Sequence, residues 1–146
     1  MKILPPALAL IFLAAMIGLR IFLPGPTLLP VPWNGVGLAP LVLGVWLLLA
    51  GSGRFRKIGT NIKTFDEPGT LVTDGLFAVS RNPMYLGFVL ALAGVAILMG
   101  ATTPFVLPIL FAIIADLWYI GFEERALRRK FGADYEAYAR RVRRWI

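Results

Sequence analysis

Apolar residues in this chain gather into four long runs with almost no charge, over residues 4–23, 36–52, 84–100 and 104–122. At about 1.5 Å of rise per residue, runs of this length make helices roughly 25–30 Å long, the thickness of a hydrocarbon core. Helix is the conformation expected there, because lipid offers no partner for backbone N–H and C=O groups. The pattern predicts an all-α membrane protein, a bundle of about four transmembrane helices. Sequence features mark the ends. Pro24, Pro26, Pro30 and Pro32 make the first connection an irregular loop. Thr103 and Pro104 read as the N-cap and first helical residue of the fourth run. Pro108 falls early enough in that helix to be tolerated. Gly87, Gly94 and Gly100 on the third run favour close helix contacts.

The tail has a different period. From Asp134, the apolar residues Tyr135, Tyr138, Ala139, Val142 and Trp145 fall at helical spacing opposite Arg140, Arg141, Arg143 and Arg144. Gly132 breaks the preceding segment, and Asp134 suits a new N-cap. A C-terminal amphipathic helix of this kind is expected to lie in the membrane interface, with anionic lipid headgroups as partners.

Composition sharpens the picture. Hydrophobic residues make up 58% of the 146, against about 45–50% in an ordinary soluble domain. The length suits one compact domain. There is no histidine and no cysteine. That removes disulfides, thiol chemistry, the usual neutral-pH base and the commonest metal ligand, so no metal site is expected. The net charge of +7 is unevenly placed. Residues 24–35 and 100–103 carry no Lys or Arg. Lys2, the middle loop (Arg54, Arg56, Lys57, Lys63, Arg81) and the tail beyond Phe122 carry nearly all of it. The positive-inside rule then puts both termini and the middle loop in the cytoplasm, the membrane being a cell inner membrane. Arg20 is the exception, expected to snorkel to the far interface or to pair within the bundle. A signal-peptide reading of the first run fails on its length and on the lack of a cleavage site. A nucleic-acid partner is disfavoured, since the basic cluster is joined directly to a membrane helix.

Two clusters at the cytoplasmic boundary could carry chemistry. One lies where the middle loop enters the third helix, with Arg81, Asn82, Pro83, Tyr85 and Gly87. The other is Glu123-Glu124, where the fourth helix leaves the membrane. A helical hairpin puts both at the same depth. Arg81 offers a planar fork for a carboxylate or phosphate near a helix N-terminus, where free N–H groups also favour an anion. The glutamates offer acceptors for an ammonium or for ribose hydroxyls. Together they suit a zwitterionic ligand. Each has a structural alternative: Arg81 as a topology anchor, the glutamates as surface partners of tail arginines such as Arg128. Asp116 is an ionisable group inside the fourth run, where it is costly and marks function or a buried polar bond. It precedes Glu123 by seven residues and so shares its helical stripe.

Three segments, in this order and spacing, resemble the isoprenylcysteine carboxyl methyltransferase family, which is grouped with the phospholipid methyltransferases. They are Thr70-Leu71-Val72-Thr73-Asp74-Gly75-Leu76-Phe77, Ser80-Arg81-Asn82-Pro83-Met84-Tyr85-Leu86-Gly87, and Glu123-Glu124 followed by Phe131-Gly132-Ala133-Asp134-Tyr135-Glu136-Ala137-Tyr138. The resemblance covers residues 54–146, leaving 1–53 as two N-terminal transmembrane helices. It implies a membrane methyltransferase using S-adenosylmethionine. Arg81, Asn82, Pro83, Tyr85 and Gly87 would line the cofactor site, Leu71, Val72 and Gly75 would shape the adenosine region, and Glu123 and Glu124 would close it. Arg81, Tyr85 and Glu124 would be the catalytic set, with Asp116, Tyr135 and Tyr138 towards the substrate. The family's usual histidine is Asn82 here, which can hydrogen-bond but not titrate. The implied acceptor is lipophilic or lipidated. A carboxylate or thiolate acceptor needs no base, whereas a protonated amine must first lose a proton. The competing readings are a nicotinamide-dependent membrane reductase, whose chains are longer, and a non-catalytic membrane subunit or lipid-binding scaffold.

Overall fold

The computed structural model describes residues 3–59 and 69–146, so Lys2 and Lys63 lie outside the described residues. The chain forms α1 (Pro5–Phe22), α2 (Leu38–Ile58), α3 (Pro83–Met99), α4 (Val106–Ile114), a π-helical segment (Ala115–Ile120) and α5 (Gly121–Arg141). Among the described residues there is no strand, only an isolated bridge between Thr27 and Ala101. Pro5–Phe22, Trp33–Lys57 and Thr103–Arg141 are each long and apolar enough to cross a membrane, and Pro83–Met99 is a shorter apolar helix. Exposed side chains include Leu10, Ile17, Phe22, Val42, Leu49, Ile109, Leu117 and Trp118. Water would not tolerate so much contiguous apolar surface; lipid tails do. The protein is an all-α membrane protein.

The short helix α3 is the centre of the bundle. No residue along it is classed as exposed, as expected for a helix apolar on every side. One side packs into a core with α1 and α4. Phe111 meets Phe12 edge-on at 6.0 Å and Phe88 at 5.6 Å, beside buried Met16, Leu92 and Ala96. The other side meets α2 through glycines seven residues apart. A Cβ built on Gly44 would stand 2.5 Å from both Ala91 N and Gly87 O, and one on Gly94 would stand 2.5 Å from Leu41 N. The backbones touch because side chains are missing, the usual way that membrane helices gain contact without a hydrophobic drive.

The loops on the far side tie off the end of α3. Asn34 Nδ2 donates to Leu98 O at 2.7 Å, Arg20 Nε to Met99 O at 2.9 Å, and Leu28 N to Gly100 O at 2.8 Å. These are the carbonyls a helix end leaves unpaired, and a guanidinium there also meets the negative end of the helix dipole. Arg20 therefore pairs within the bundle. Thr103 does not cap the fourth run as expected. Its hydroxyl donates to Leu23 O, and a 3-10 turn, Thr103–Phe105, leads into α4.

The fourth run does not end at Phe122. The helix continues through Arg125 and Lys130 into α5, with its break at Gly132, where φ is +47° and ψ −117°. That φ is open to glycine at little cost. The tail also departs from the expected amphipathic helix. Helix stops at Arg141, and Val142 is extended, so Val142 and Trp145 lie in a strap of residues 142–146. Tyr135 and Tyr138 are buried against the protein itself.

Candidate active site

The end of the bundle that carries the N-terminus of α3 also carries most of the charge. Pro83 starts α3 at its first turn, is fully buried and, lacking an N–H, leaves no orphan donor. Arg81 and Asn82 sit just before it, where the strap crosses. Arg81 N donates to Arg143 O at 3.0 Å and Asn82 Nδ2 to Arg144 O at 2.9 Å, while Asn82 N donates to Ser80 Oγ at 3.1 Å.

Arg81 and the acidic doublet meet. Arg81 Nη1 lies 3.1 Å from Glu124 Oε1 and donates to Tyr135 Oη at 3.0 Å. Tyr85, in the first turn of α3, donates its hydroxyl to Glu123 Oε1 at 2.7 Å and stacks on Tyr119 at 6.0 Å. Only 5% of the Glu124 side chain and 13% of Arg81 are exposed. A carboxylate so buried needs charge partners. Besides Arg81, Arg144 grips it with a two-pronged fork, Nη2 to Oε2 at 2.7 Å and Nε to Oε1 at 3.1 Å. Arg128, half-exposed, adds a longer contact of 3.6 Å. Among the described residues, the buried Nε of Arg81 has no hydrogen-bond partner.

Asp116 joins this network through Arg144, whose Nη1 donates to both carboxylate oxygens at 3.2 Å; Trp145 Nε1 adds a bond at 2.9 Å. The expected stripe of Asp116 with Glu123 is shifted by one residue. A regular helix turns about 100° per residue, which would leave Asp116 and Glu124 about 80° apart. The π segment between them absorbs one extra residue in its turn, cutting that to about 20°. Both carboxylates then reach one guanidinium.

Tyr135 and Tyr138 meet edge-on at 6.2 Å. Tyr138 donates to Phe77 O at 2.6 Å, fastening the turn Gly75–Ala78 to α5. Burial pushes its phenol up to about 12. Tyr135 is also raised, chiefly by burial and then by the Glu124 charge, with Arg81 opposing. The Glu124 hydrogen bond raises Arg144, so its charge is fixed. Leu71, Val72 and Gly75 lead into the Gly75–Ala78 turn; Val72 is buried, and Asp74 next to Gly75 pairs with Arg54 of α2. Gly87 stands apart from the ion network and faces α2, where an added Cβ would lie 2.8 Å from Gly44 O.

Arg144 and Trp145 are the residues that sequence reasoning missed. They read there as a basic, amphipathic periodicity, and nothing local marks which arginine folds back.

A family model described as phospholipid methyltransferase matches residues 33–134, more than half of the chain. The chain belongs to this family. The phospholipid methyltransferase match reaches back to take in α2 and stops before the strap. Among curated relatives, protein-S-isoprenylcysteine O-methyltransferase of Schizosaccharomyces pombe is 39% identical over 75 residues, 49% of this chain and 30% of that protein. Protein-S-isoprenylcysteine O-methyltransferase B of Arabidopsis thaliana is 32% identical over 80 residues, 53% of this chain and 39% of that one. The chain thus spans about a third of the length of either. An uncharacterized protein of Haemophilus influenzae is 33% identical over 63 residues, covering all of that protein and 43% of this chain. No solved structure matches significantly.

Proposed function

We propose that this protein is an S-adenosylmethionine-dependent membrane methyltransferase acting on a lipophilic acceptor. The observation that carries the reading is the meeting of Arg81 and Tyr85, at the start of α3, with Glu124 and Glu123 on the helix leaving the membrane. Family membership supports the reaction class. The donor's methionine portion is a zwitterion, and the residues fit it. The orphan Nε of Arg81 has one donor to spare for a carboxylate, and the first-turn N–H groups of α3 add to it. Glu123 and Glu124 supply acceptors for the amine or the ribose hydroxyls. Asn82 positions rather than titrates, its amide already bound to Arg144 O. Leu71, Val72 and Gly75 shape the adenosine side.

When bound, the cofactor supplies a methyl group on a sulfonium centre. The protein's own task is to align the partners and exclude water, since alignment alone can lower such a barrier by several kcal/mol. No histidine or cysteine is present to act as base, and the buried phenols resist ionisation. This favours an acceptor that arrives already anionic, a carboxylate or thiolate, entering laterally between helices. Asp116, Tyr135 and Tyr138 are the substrate-side candidates.

In this reading residues 54–146 form the methyltransferase core and 1–53 contribute two membrane helices, with both termini in the cytoplasm of a cell whose inner membrane holds the protein. The clustering of basic residues at one end of the bundle supports that orientation. The test is calorimetry on the detergent-solubilised protein with S-adenosylmethionine, in competition with S-adenosylhomocysteine. Saturable binding to wild type, lost in Arg81→Ala and Glu124→Ala, is expected. Silence in wild type, or normal binding in both variants, refutes the reading.

A further inference from the structure

Glu124 is the most deeply buried carboxylate that the ion network shows, and the shape of its site is set from outside the family match. The strap of residues 142–146 follows the last matched residue, 134. It is held by bonds that do not depend on the Arg144 side chain, among them Arg81 N to Arg143 O, Asn82 Nδ2 to Arg144 O and Trp145 Nε1 to Asp116 Oδ1. Its backbone is thus registered on the very residues that begin α3. From there the Arg144 guanidinium spans two carboxylates, gripping Glu124 with Nε and Nη2 and Asp116 with Nη1. A planar fork held at three nitrogens has little freedom to turn, and it fixes the plane of the carboxylate that it grips.

We propose that Arg144 is a positioning residue, which sets the orientation of Glu124 towards the donor and couples it to Asp116 in the membrane. The proposal rests on the methyl-donor reading and adds a residue to it. Glu124 has two oxygens and three arginines around it. Arg81 and Arg144 share Oε1, and Arg144 and Arg128 approach Oε2. Without the fork, Arg81 would be left to hold Glu124 by one contact. The carboxylate could then swing towards Arg128, away from Tyr135 and the orphan Nε of Arg81. Arg144 acts through Glu124 and touches no reacting atom.

The experiment measures S-adenosylhomocysteine affinity of the full chain in detergent. Arg144→Met should weaken binding by about tenfold or more, the scale of one lost charge-assisted contact. Arg144→Lys keeps the charge without the fork and should lose about threefold or more. Arg141→Met, which removes an exposed tail charge, should stay within about twofold, since exposed charges are screened. Millimolar methylguanidinium should restore part of the affinity of Arg144→Ala, which a role in assembly alone would not allow. Wild-type binding with unchanged or tighter binding in the Arg144 variants, or no recovery with methylguanidinium, overturns the proposal alone. If Arg144→Met fails to assemble, Arg144→Lys decides, and wild-type affinity there overturns it. No binding by wild type overturns the proposal together with the reading beneath it.

Discussion

Tyr85 donates to Glu123 across 2.7 Å, so the first turn of the central helix is latched to the rod that leaves the membrane. The same ring stacks on Tyr119 of that rod. One side chain therefore supplies both the polar and the apolar contact between the two motifs, and the two can be separated by substitution.

Tyr85→Phe keeps the stack and removes the hydroxyl. A hydrogen bond to a carboxylate contributes about 1.5–3 kcal/mol. Donor affinity should fall by roughly tenfold, and the melting temperature in detergent should drop by several degrees, since the latch between the two helices is gone. Calorimetry beside a thermal melt checks both halves, and equal affinity in variant and wild type would remove Tyr85 from the site.

Gly44→Val should loosen the bundle. Its new side chain would start 2.5 Å from Ala91 N and Gly87 O, both backbone atoms that cannot step aside. Forced overpacking costs about 1–3 kcal/mol or more. Gly18→Ala is the contrast, since nothing lies within 4 Å of its Cβ; it should be neutral or stabilise by up to about 1 kcal/mol. Thermal unfolding in one detergent ranks the three proteins.

Tyr138 predicts an alkaline limit. An ordinary phenol ionises near 10, and burial raises this one to about 12. The folded state thus favours the neutral phenol. The stability that this contributes is complete below about pH 10 and is lost as pH rises towards 12. Phenolate absorbance should appear late, together with unfolding. Tyr138→Phe should remove this part of the alkaline loss and cost about 1 kcal/mol at pH 7, through the missing bond to Phe77 O. Normal-range titration of the Tyr138 phenol in the folded protein would contradict the burial.

Deletion of Leu117, an exposed residue within the π segment, should restore a regular helix and leave Asp116 and Glu124 seven residues and about 20° apart, still on one face. Helical content by circular dichroism and donor affinity should both persist. Lost affinity with the helix intact would show that the wide turn itself, and not only the shared stripe, is needed.

Much of this was legible in the sequence because bilayer solvation writes plainly. Four nearly uncharged runs became four apolar helices, and Pro83 and Gly132 marked a start and a break that the structure keeps. The pairing of Arg81 with the doublet followed from hairpin geometry. The π segment did not follow, because residues 115–120 carry no residue that demands a wider turn, and the shift from Glu123 to Glu124 went with it. The strap was hidden for a related reason. Val142 and Trp145 fit a helical period, and only contact with Asn82 and Asp116 shows that the chain has left the helix.

Little of α3 ever meets the bilayer. Hydrophobic mismatch acts through surfaces that touch lipid, at fractions of a kcal/mol per Å. The 17 residues of α3 are therefore invisible to membrane thickness, which is felt by the longer helices around it. Sorting between thin and thick membranes should respond to lengthening α1 or α2, and the end that carries the candidate site, hung on α3, stays at one depth while the outer wall adapts.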